Sequence, residues 1–165
     1  HSHGGGWVYV VQGAHVLTMA GRTETFLPGQ AVWTPAGVAH THDWDRTQTH
    51  KFWFIGTATN QPPTVPPGFR VFRVTDPLEG LLSGPYTVRL SRIVLQPGVQ
   101  AAVVKVVQPE VIIGLLGTTA VVRSTGANAL RAEEVQLMQA GSAYMLRNQS
   151  SIPTSILVQI IIPRE

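Results

Sequence analysis

The chain has 165 residues, of which 44% are hydrophobic and 13% are charged, and its formal net charge is +3. This composition can bury a core, so it excludes a disordered chain. The basic residues form no cluster, which argues against a nucleic-acid partner, and no apolar run is long enough for a membrane-spanning helix. The sequence contains no cysteine, which excludes disulfide bonds and thiolate metal sites and leaves open a cytoplasmic protein or a secreted one after signal removal.

Short apolar runs separated by turn residues predict an all-β chain. In the first third of the sequence these runs cover residues 8–11, 15–19, 25–27, 31–33 and 51–55, with glycine or proline between several of them. Strands this short and this frequent are typical of a sandwich or a barrel. The polar segment 41–49 is expected to be a loop, and residues 57–69, which contain four prolines, are expected to be a linker.

The sequence after this linker repeats the pattern before it. Residues 110–117 align with 6–13, residues 120–126 with 15–21, and residues 137–141 with 26–29. An internal repeat of this length predicts two similar β units in tandem. We therefore expect a first unit at residues 1–56, a linker at 57–69 and a second unit at 70–165, in which residues 129–138 form a loop that leads into a strand.

All six histidines and all four tryptophans precede the linker, so any chemistry is expected in the first unit. His1 and His3 are two residues apart, a spacing that places both side chains on one face of a strand. His40 follows Pro35 and Gly37, whose turn can redirect the chain toward the other two imidazoles. Three imidazoles from two strands form a metal site with open coordination positions, suited to Fe(II), Zn, Ni, Cu or Mn.

These residues resemble the two motifs of the cupin superfamily. The second motif, G-x5-P-x-G-x2-H-x3-N, is matched at Gly29, Pro35, Gly37 and His40. The first motif, G-x5-H-x-H-x(3,4)-E-x6-G, is matched in part at His1, His3 and Gly13. The resemblance implies a cupin double-stranded β-helix, a jelly-roll-like barrel, in two tandem copies. It also implies that the first copy holds the metal through its three motif histidines and that the second, degenerate copy holds none.

The chain departs from the cupin motifs at three places. The glutamate that normally completes the ligand set is absent; its position falls within residues 6–8, at Gly6 when counted back from the final glycine of the motif, whereas Glu110 keeps that place in the second unit. Trp44 stands where the second motif has asparagine. The first unit also lacks a counterpart of residues 87–95, so we expect one or two strands to precede its first residue.

The remaining histidines are assigned from their neighbours in the sequence. His42 and His50 are the candidate catalytic residues, as general bases. His42 is expected to be a surface histidine, with replacement of the missing glutamate as the alternative. His50 is expected to be packed and hydrogen-bonded, with a position in the cavity wall as the alternative. His15 follows a turn glycine and is expected to be exposed.

The aromatic residues Tyr9, Trp33 and Trp53 are candidates for the wall of a substrate pocket, because they lie on predicted strands. Ordinary core packing is the alternative for each of them. Asp43 and Asp45 lie close to His40 in the sequence and could orient an imidazole, but solvated loop acids are the expected outcome.

Two classes of function remain open. The resemblance implies an enzyme in which a three-histidine metal binds a small organic substrate together with O₂, as in cupin dioxygenases that lack the glutamate; an isomerase, lyase or hydrolase is the less favoured outcome. The alternative is a non-catalytic module that binds, stores or senses a small ligand or a metal. In either class the partner is a small molecule, and long apolar strands also allow a homodimer.

Overall fold

The computed structural model describes residues 1–56 and 85–164, and every regular element in those ranges is a β-strand. The all-β prediction is therefore confirmed. The chain divides into two compact units, His1–Pro77 and Leu78–Glu165. The predicted linker, residues 57–69, lies outside the described residues. Within the described ranges, no helix has the length and apolar character needed to cross a membrane.

The first unit contains two three-stranded antiparallel sheets in its described residues. Its strands are β1 (Gly6–Gln12), β2 (His15–Met19), β3 (Arg22–Phe26), β4 (Ala31–Thr34), β5 (His40–Asp43) and β6 (Lys51–Gly56). One sheet has the order β4-β1-β6 and the other has the order β3-β2-β5. The turn between β2 and β3 is made by Ala20 and Gly21, both with positive φ, which is the backbone of a tight two-residue hairpin.

The two sheets of the first unit meet through the side chains of one face of each. In the first sheet Val8 pairs with Phe54 and Val10 pairs with Phe52, so these four side chains share a face. Val8 and Val10 are fully buried. The Phe52 ring lies 5.0 Å from the ring of His15 on β2, which shows that this face is turned toward the second sheet.

Strand β5 was not expected from the sequence, which predicted a loop over residues 41–49. The prediction is wrong for residues 41–43, because β5 pairs with β2 from Val16 opposite Asp43 to Met19 opposite His40. The polar composition of β5 conceals this pairing, since its hydrogen bonds come from a partner strand more than twenty residues earlier in the chain.

The second unit contains two four-stranded antiparallel sheets in its described residues. Its strands are β7 (Tyr86–Leu95), β8 (Val104–Lys105), β9 (Glu110–Leu116), β10 (Thr118–Arg123), β11 (Gly126–Arg131), β12 (Val135–Met138), β13 (Ala143–Asn148) and β14 (Thr154–Pro163). The sheet orders are β11-β10-β13-β8 and β12-β9-β14-β7. The loop predicted over residues 129–138 is wrong for most of its length, because β11 and β12 occupy all but residues 132–134 of it.

The core of the second unit is mainly apolar and also contains a buried hydrogen-bonded pair, Glu110 and Tyr144. Ile112, Val121 and Leu146 are among the side chains that pack between its sheets. The hydroxyl of Tyr144, in the same core, donates a hydrogen bond to Glu110 Oε2 at 2.9 Å. Burial raises the pKa of the Glu110 carboxyl above its usual value, with the Tyr144 hydrogen bond opposing that rise. No histidine occurs in this unit, so an imidazole metal site can lie only in the first unit.

Candidate metal centre

Backbone pairing brings the predicted histidines together. The backbone nitrogen of His1 donates to the carbonyl of His40 at 3.0 Å, and the nitrogen of His40 donates to the carbonyl of His1 at 2.9 Å. The Gly37 nitrogen donates to the carbonyl of His3 at 3.0 Å, which continues the pairing through the turn. Two residues that exchange both bonds stand directly opposite each other with their side chains on one face. Because alternate residues share that face, His3 and His42 join His1 and His40 there.

The four imidazoles form a compact cluster. One ring nitrogen from each of His1, His3, His40 and His42 lies within 4.8 Å of the corresponding atom of every other member. The ring of His40 lies 4.6 Å from the rings of His1 and His3 and 4.8 Å from the ring of His42. His40 is buried, His3 and His42 are half-buried and His1 is exposed, so the cluster lies at an edge that solvent reaches.

Hydrogen bonds determine which nitrogen of His3 and of His40 faces the cluster. His40 Nδ1 donates to the carbonyl of Val38 at 2.8 Å, and His3 Nδ1 donates to the carbonyl of Gly4, because a carbonyl oxygen can only accept. Each neutral ring therefore carries its lone pair on Nε2. These two Nε2 atoms lie 2.9 Å apart. Two facing lone pairs at that distance repel, so the arrangement requires a proton or a cation between them.

The donor set fits a divalent transition metal. Ring nitrogens bind such ions at about 2.0–2.1 Å, so two nitrogens on one ion lie roughly 3–4 Å apart. The Nε2 atoms of His3 and His40 have a separation close to that range, and the candidate ligand atoms of the four histidines all lie within 4.8 Å of one another. Ligand histidines characteristically donate their second ring nitrogen to a carbonyl, as His3 and His40 do here. An all-nitrogen set suits several ions and does not select one of them.

Burial favours the neutral form of His40, His42 and His15, and the neutral imidazole is the form that binds a metal. Burial is the main cause that lowers the pKa of His40 below its ordinary value. Burial, followed by the neighbouring imidazoles of His15 and His40, lowers the pKa of His42 to about 3. Burial and the nearby His50 lower the pKa of His15 to about 4. The lone pairs of these rings are therefore available at neutral pH without the loss of a proton.

An aromatic ring fills the space beside Gly6, one of the positions at which the resemblance to the first cupin motif implies a glutamate. Gly6 lies opposite Gly56 in the β1–β6 pairing. A Cβ atom on Gly6 would lie 2.5 Å from Cζ of Phe54 and 2.7 Å from the Cα of Gly56, so no side chain fits there without displacement. The Phe54 ring also contacts the ring of His3, with 4.4 Å between their centroids. The packing of the sheet around Gly6 therefore leaves no room for a carboxylate side chain at this position.

Two histidines of the first unit occupy positions that the sequence did not predict. His15 was expected to be exposed but is fully buried, because its strand turns that residue toward the opposite sheet. His42 was expected at the surface but is half-buried in the cluster, on the face that it shares with His40. The two residues are hydrogen-bonded to each other, with 2.8 Å between His15 Nε2 and His42 Nδ1. The i, i+2 spacing of His40 and His42 was the available signal, and it was outweighed by the polar sequence around them.

His50 is packed and hydrogen-bonded, as its place before an apolar strand predicted. Its Nε2 lies 3.1 Å from His15 Nδ1, and the two rings stack with 5.0 Å between centroids. Gly13, with a φ of +76°, permits this position, since a Cβ atom there would lie 2.8 Å from the carbonyl oxygen of Thr49. The final glycine of the first motif therefore brings His50 close to His15.

The aromatic residues predicted to line a pocket lie on the wrong face of their sheet. Tyr9 and Trp53 pair with each other and alternate with Val8 and Phe54, so they point away from the histidines. Trp33 pairs with Trp7 and contacts its ring at 5.4 Å, on the same face as Tyr9 and Trp53. The aromatic rings that contact the histidines are those of Phe52 and Phe54, with Trp44 stacked on His50.

A cavity of about 460 Å³, open to solvent, is lined by residues of β2, β3 and β4 and of the β2–β3 turn. Leu17 and Met19 line it and pair with His42 and His40, so each stands next to a clustered histidine. The rest of the lining comes from neighbouring strands and their turn: Ala20, Arg22, Glu24, Phe26 and Val32.

The acidic residues near His40 in the sequence are directed elsewhere, as predicted. The Asp43 carboxylate accepts a hydrogen bond from the backbone nitrogen of Trp44 and lies 3.7 Å from Arg46. Asp45 accepts hydrogen bonds from the backbone and hydroxyl of Thr47, and these bonds lower the pKa of its carboxyl. Neither residue belongs to the histidine cluster.

Comparison with known proteins shows a similarity in fold. No protein-family model and no curated protein sequence matches this chain. Among solved structures, AerE from Microcystis aeruginosa aligns with a TM-score of 0.74 at 14% identity, over 98% of this chain and 81% of AerE. A cupin 2 conserved barrel domain protein from Leptotrichia buccalis aligns with a TM-score of 0.60 at 14% identity, over 98% of this chain and 74% of that protein.

A variant of salicylate 1,2-dioxygenase from Pseudoaminobacter salicylatoxidans aligns with a TM-score of 0.65 at 14% identity. The alignment covers 96% of this chain but 64% of the dioxygenase, so the chain spans less than two thirds of that enzyme. At such identities the matches establish a shared architecture and carry no residue-by-residue assignment.

Proposed function

The chain has the tandem cupin fold, and we propose that its first unit is a metal centre held by His1, His3 and His40, with His42 as a fourth ligand. The observation that carries this proposal is the 2.9 Å separation of His3 Nε2 and His40 Nε2. Both rings donate their other nitrogen to a carbonyl oxygen, so both present a lone pair to the same point. A divalent cation at that point satisfies both lone pairs, and the rings of His1 and His42 are close enough to join it.

We propose that the centre serves the O₂-dependent oxidation of a small organic molecule. A bound metal supplies open coordination positions, and four imidazoles leave two of them on a six-coordinate ion. The cavity lined by Leu17 and Met19 offers space for the substrate beside His42 and His40. The shared architecture with salicylate 1,2-dioxygenase supports this reaction class, and the specific substrate is left to the assay below.

The charge of the centre favours an anionic substrate. Four neutral imidazoles compensate none of the charge of a divalent metal, unlike a set that contains a carboxylate. Arg22 and Glu24 both lie in the cavity wall, so their charges offset each other and the metal remains the main source of positive potential. Small carboxylates and enolates are therefore the first compounds to test.

A non-catalytic binding module is the second candidate, and one observation favours it. Among the described residues of the first unit, no carboxylate belongs to the histidine cluster. His42, one of the two expected general bases, is engaged as a candidate ligand and hydrogen-bonded to His15. A centre with so few groups to transfer protons is suited to holding a metal or a small ligand without converting it.

Metal content of the purified full chain, followed by calorimetric titration with Zn²⁺, tests the centre. We expect one ion per chain in the wild type and none in His40→Ala, because His40 contacts each of the other three rings. Asp43→Asn is the matched control, since it removes a nearby carboxylate that lies outside the cluster and should leave binding unchanged. A wild type that binds no divalent ion would refute the metal centre.

Oxygen uptake distinguishes the two classes of function. The Fe²⁺-loaded wild type, the His40→Ala variant and the metal-free chain are compared on salicylate, aromatic diols, diketones and thiols. Oxygen uptake that requires both the metal and one of these compounds supports the proposed O₂-dependent oxidation. Stoichiometric metal with no uptake on any of them, but with saturable binding of the same compounds, assigns the binding module instead.

A further inference from the structure

Beyond the four clustered rings, a chain of hydrogen bonds leads from His42 to two other histidines. His42 Nδ1 lies 2.8 Å from His15 Nε2, and His15 Nδ1 lies 3.1 Å from His50 Nε2. The central ring, His15, is fully buried, so both of its nitrogens have these imidazoles as their partners. The three residues come from β5, from β2 and from the residue that precedes β6, and they thus connect both sheets of the unit.

The hydrogen bonds in this chain must all run in one direction. A neutral imidazole has one N–H donor and one acceptor nitrogen, so a ring that accepts at one nitrogen donates at the other. In the outward direction His42 donates to His15, His15 donates to His50, and the lone pair of His42 is on Nε2. In the inward direction His50 donates to His15, His15 donates to His42, and the proton of His42 is on Nε2. Only the outward direction lets His42 Nε2 bind a metal.

The direction of these hydrogen bonds matters for His42 but not for His40, the buried member of the cluster. The carbonyl of Val38 can only accept, so it holds His40 permanently in the tautomer that presents a lone pair at Nε2. His15 can either accept from His42 or donate to it, and the direction depends in turn on His50. His40 is therefore a fixed ligand, whereas His42 is a ligand only when its neighbours have the matching tautomers.

We propose that His15 and His50 are positioning residues that set the tautomer of His42 and so make it the fourth ligand of the metal centre. The proposal rests on the proposed function, since it concerns the same ion. Metal binding selects the outward direction in all three rings. In that direction His15 accepts the Nδ1 proton of His42, as a backbone carbonyl does for His3 and for His40. The three hydrogen-bonded histidines thereby provide a fourth donor in a site that lacks the carboxylate.

Packing holds the three rings in place for this role. The centroid of the Phe52 ring lies 5.0 Å from that of His15, 5.4 Å from that of His50 and 6.1 Å from that of His42, so the ring packs against all three hydrogen-bonded histidines. The Trp44 ring stacks on His50 with an angle of 14° between the planes, and the Arg46 guanidinium lies 4.1 Å above the Trp44 ring. These contacts restrict rotation of the rings, so a change of direction requires movement of protons and not of side chains.

Nitrogen NMR of the ¹⁵N-labelled full chain, with and without Zn²⁺, reads the tautomer of each histidine directly. In the zinc-loaded wild type we expect His42 to be metal-bound at Nε2 and protonated at Nδ1, with His15 and His50 both protonated at Nδ1. This measurement needs no variant and no activity. His42 protonated at Nε2, or bound through Nδ1, in the zinc-loaded chain would overturn the proposal.

Two variants of His15 test whether the acceptor matters for affinity. His15→Leu removes the acceptor, and we expect the Kd for Zn²⁺ to rise by about 10- to 100-fold, as for other groups that orient a metal ligand. His15→Gln keeps an oxygen that can accept from His42 Nδ1, and it should retain most of the affinity. A His15→Leu chain that is folded and binds zinc as tightly as the wild type would contradict the role of His15.

The outcomes separate this inference from the proposed function. A wild type that binds no zinc removes both. If the wild type binds zinc, His40→Ala does not, and His15→Leu binds zinc as tightly as the wild type, then the three-histidine centre stands and only the positioning role is overturned. If both His15 variants fail to fold, the NMR spectrum of the wild type decides the inference alone.

Discussion

We expect Gly6→Ala to destabilise the first unit, because the space beside Gly6 is filled by the Phe54 ring. The new Cβ atom would lie 2.5 Å from Phe54 Cζ and 2.7 Å from the Cα of Gly56. Carbon atoms in favourable contact are about 3.5–4.0 Å apart, so the ring and the backbone must together yield by about 1 Å. The backbone of Gly56 is held in the β1–β6 pairing and cannot move alone.

The Phe54 ring has little freedom to relieve this contact. Its edge lies against Gly6 and Gly56, and the ring also contacts the ring of His3, 4.4 Å away between centroids. Overpacking of this kind costs about 1–3 kcal/mol. For a unit of the size of His1–Pro77 each kcal/mol shifts the melting temperature by about 4–8 °C, so the expected decrease is about 4–24 °C.

Thermal unfolding followed by tryptophan fluorescence measures this effect in the relevant unit, because all four tryptophans precede residue 57. Phe54→Leu serves as the second background, since it removes the end of the ring that meets the new Cβ. Gly6→Ala should cost less there than in the wild type, with a coupling of at least about 0.5 kcal/mol. An equal cost in both backgrounds, or no loss of stability in the wild type, would refute the role of Phe54.

Three further predictions follow from the described contacts. Zn²⁺ at 100 times its Kd should stabilise the wild-type first unit by about 2.7 kcal/mol, seen as a higher melting temperature by tryptophan fluorescence, and should not stabilise His40→Ala. Burial raises the pKa of the Glu110 carboxyl, so the native state binds its proton more tightly than the unfolded state does. Protonation of Glu110 therefore stabilises the native state at low pH, and this stabilisation is lost as the pH rises through the native pKa of Glu110. Glu110→Gln should therefore be more stable than the wild type at pH 7 and lose that advantage near pH 4; urea unfolding at both pH values checks the sign, and an equal difference at both would contradict it. Gly114→Ala should prevent folding of the second unit, because the Cβ would collide with the carbonyl of Arg131, and a normal circular dichroism melt would disprove this.

The sequence predicted the architecture well because its signals were local. Apolar runs bounded by glycine and proline correspond to β1, β2, β4 and β6, and the internal repeat anticipated two compact units. β5 was missed because its stability comes from pairing with β2, a contact between segments distant in the sequence. Strand propensity describes a residue alone, and it fails where the partner strand decides.

The candidate site was predicted in part for the same reason. His1, His3 and His40 follow motif spacings, and the structure brings their rings together. His15 was expected to be exposed because a turn glycine precedes it, but its exposure depends on which face of β2 meets the other sheet. One residue of register reverses that face, and the sequence around His15 does not specify the register.

The missing carboxylate and the additional histidines form one connected arrangement. Phe54 occupies the space that a side chain at position 6 would need, so this position cannot supply a fourth donor. The nearest remaining donor, His42, comes from β5 in the other sheet, where a neutral histidine cannot rely on a carbonyl for its tautomer. His15 and His50 fill that need only because Gly13 lets the chain at Thr49 approach closely. In the proposed metal centre, the glycines at positions 6 and 13 therefore have a common consequence, a fourth ligand whose availability depends on protons held by its neighbours.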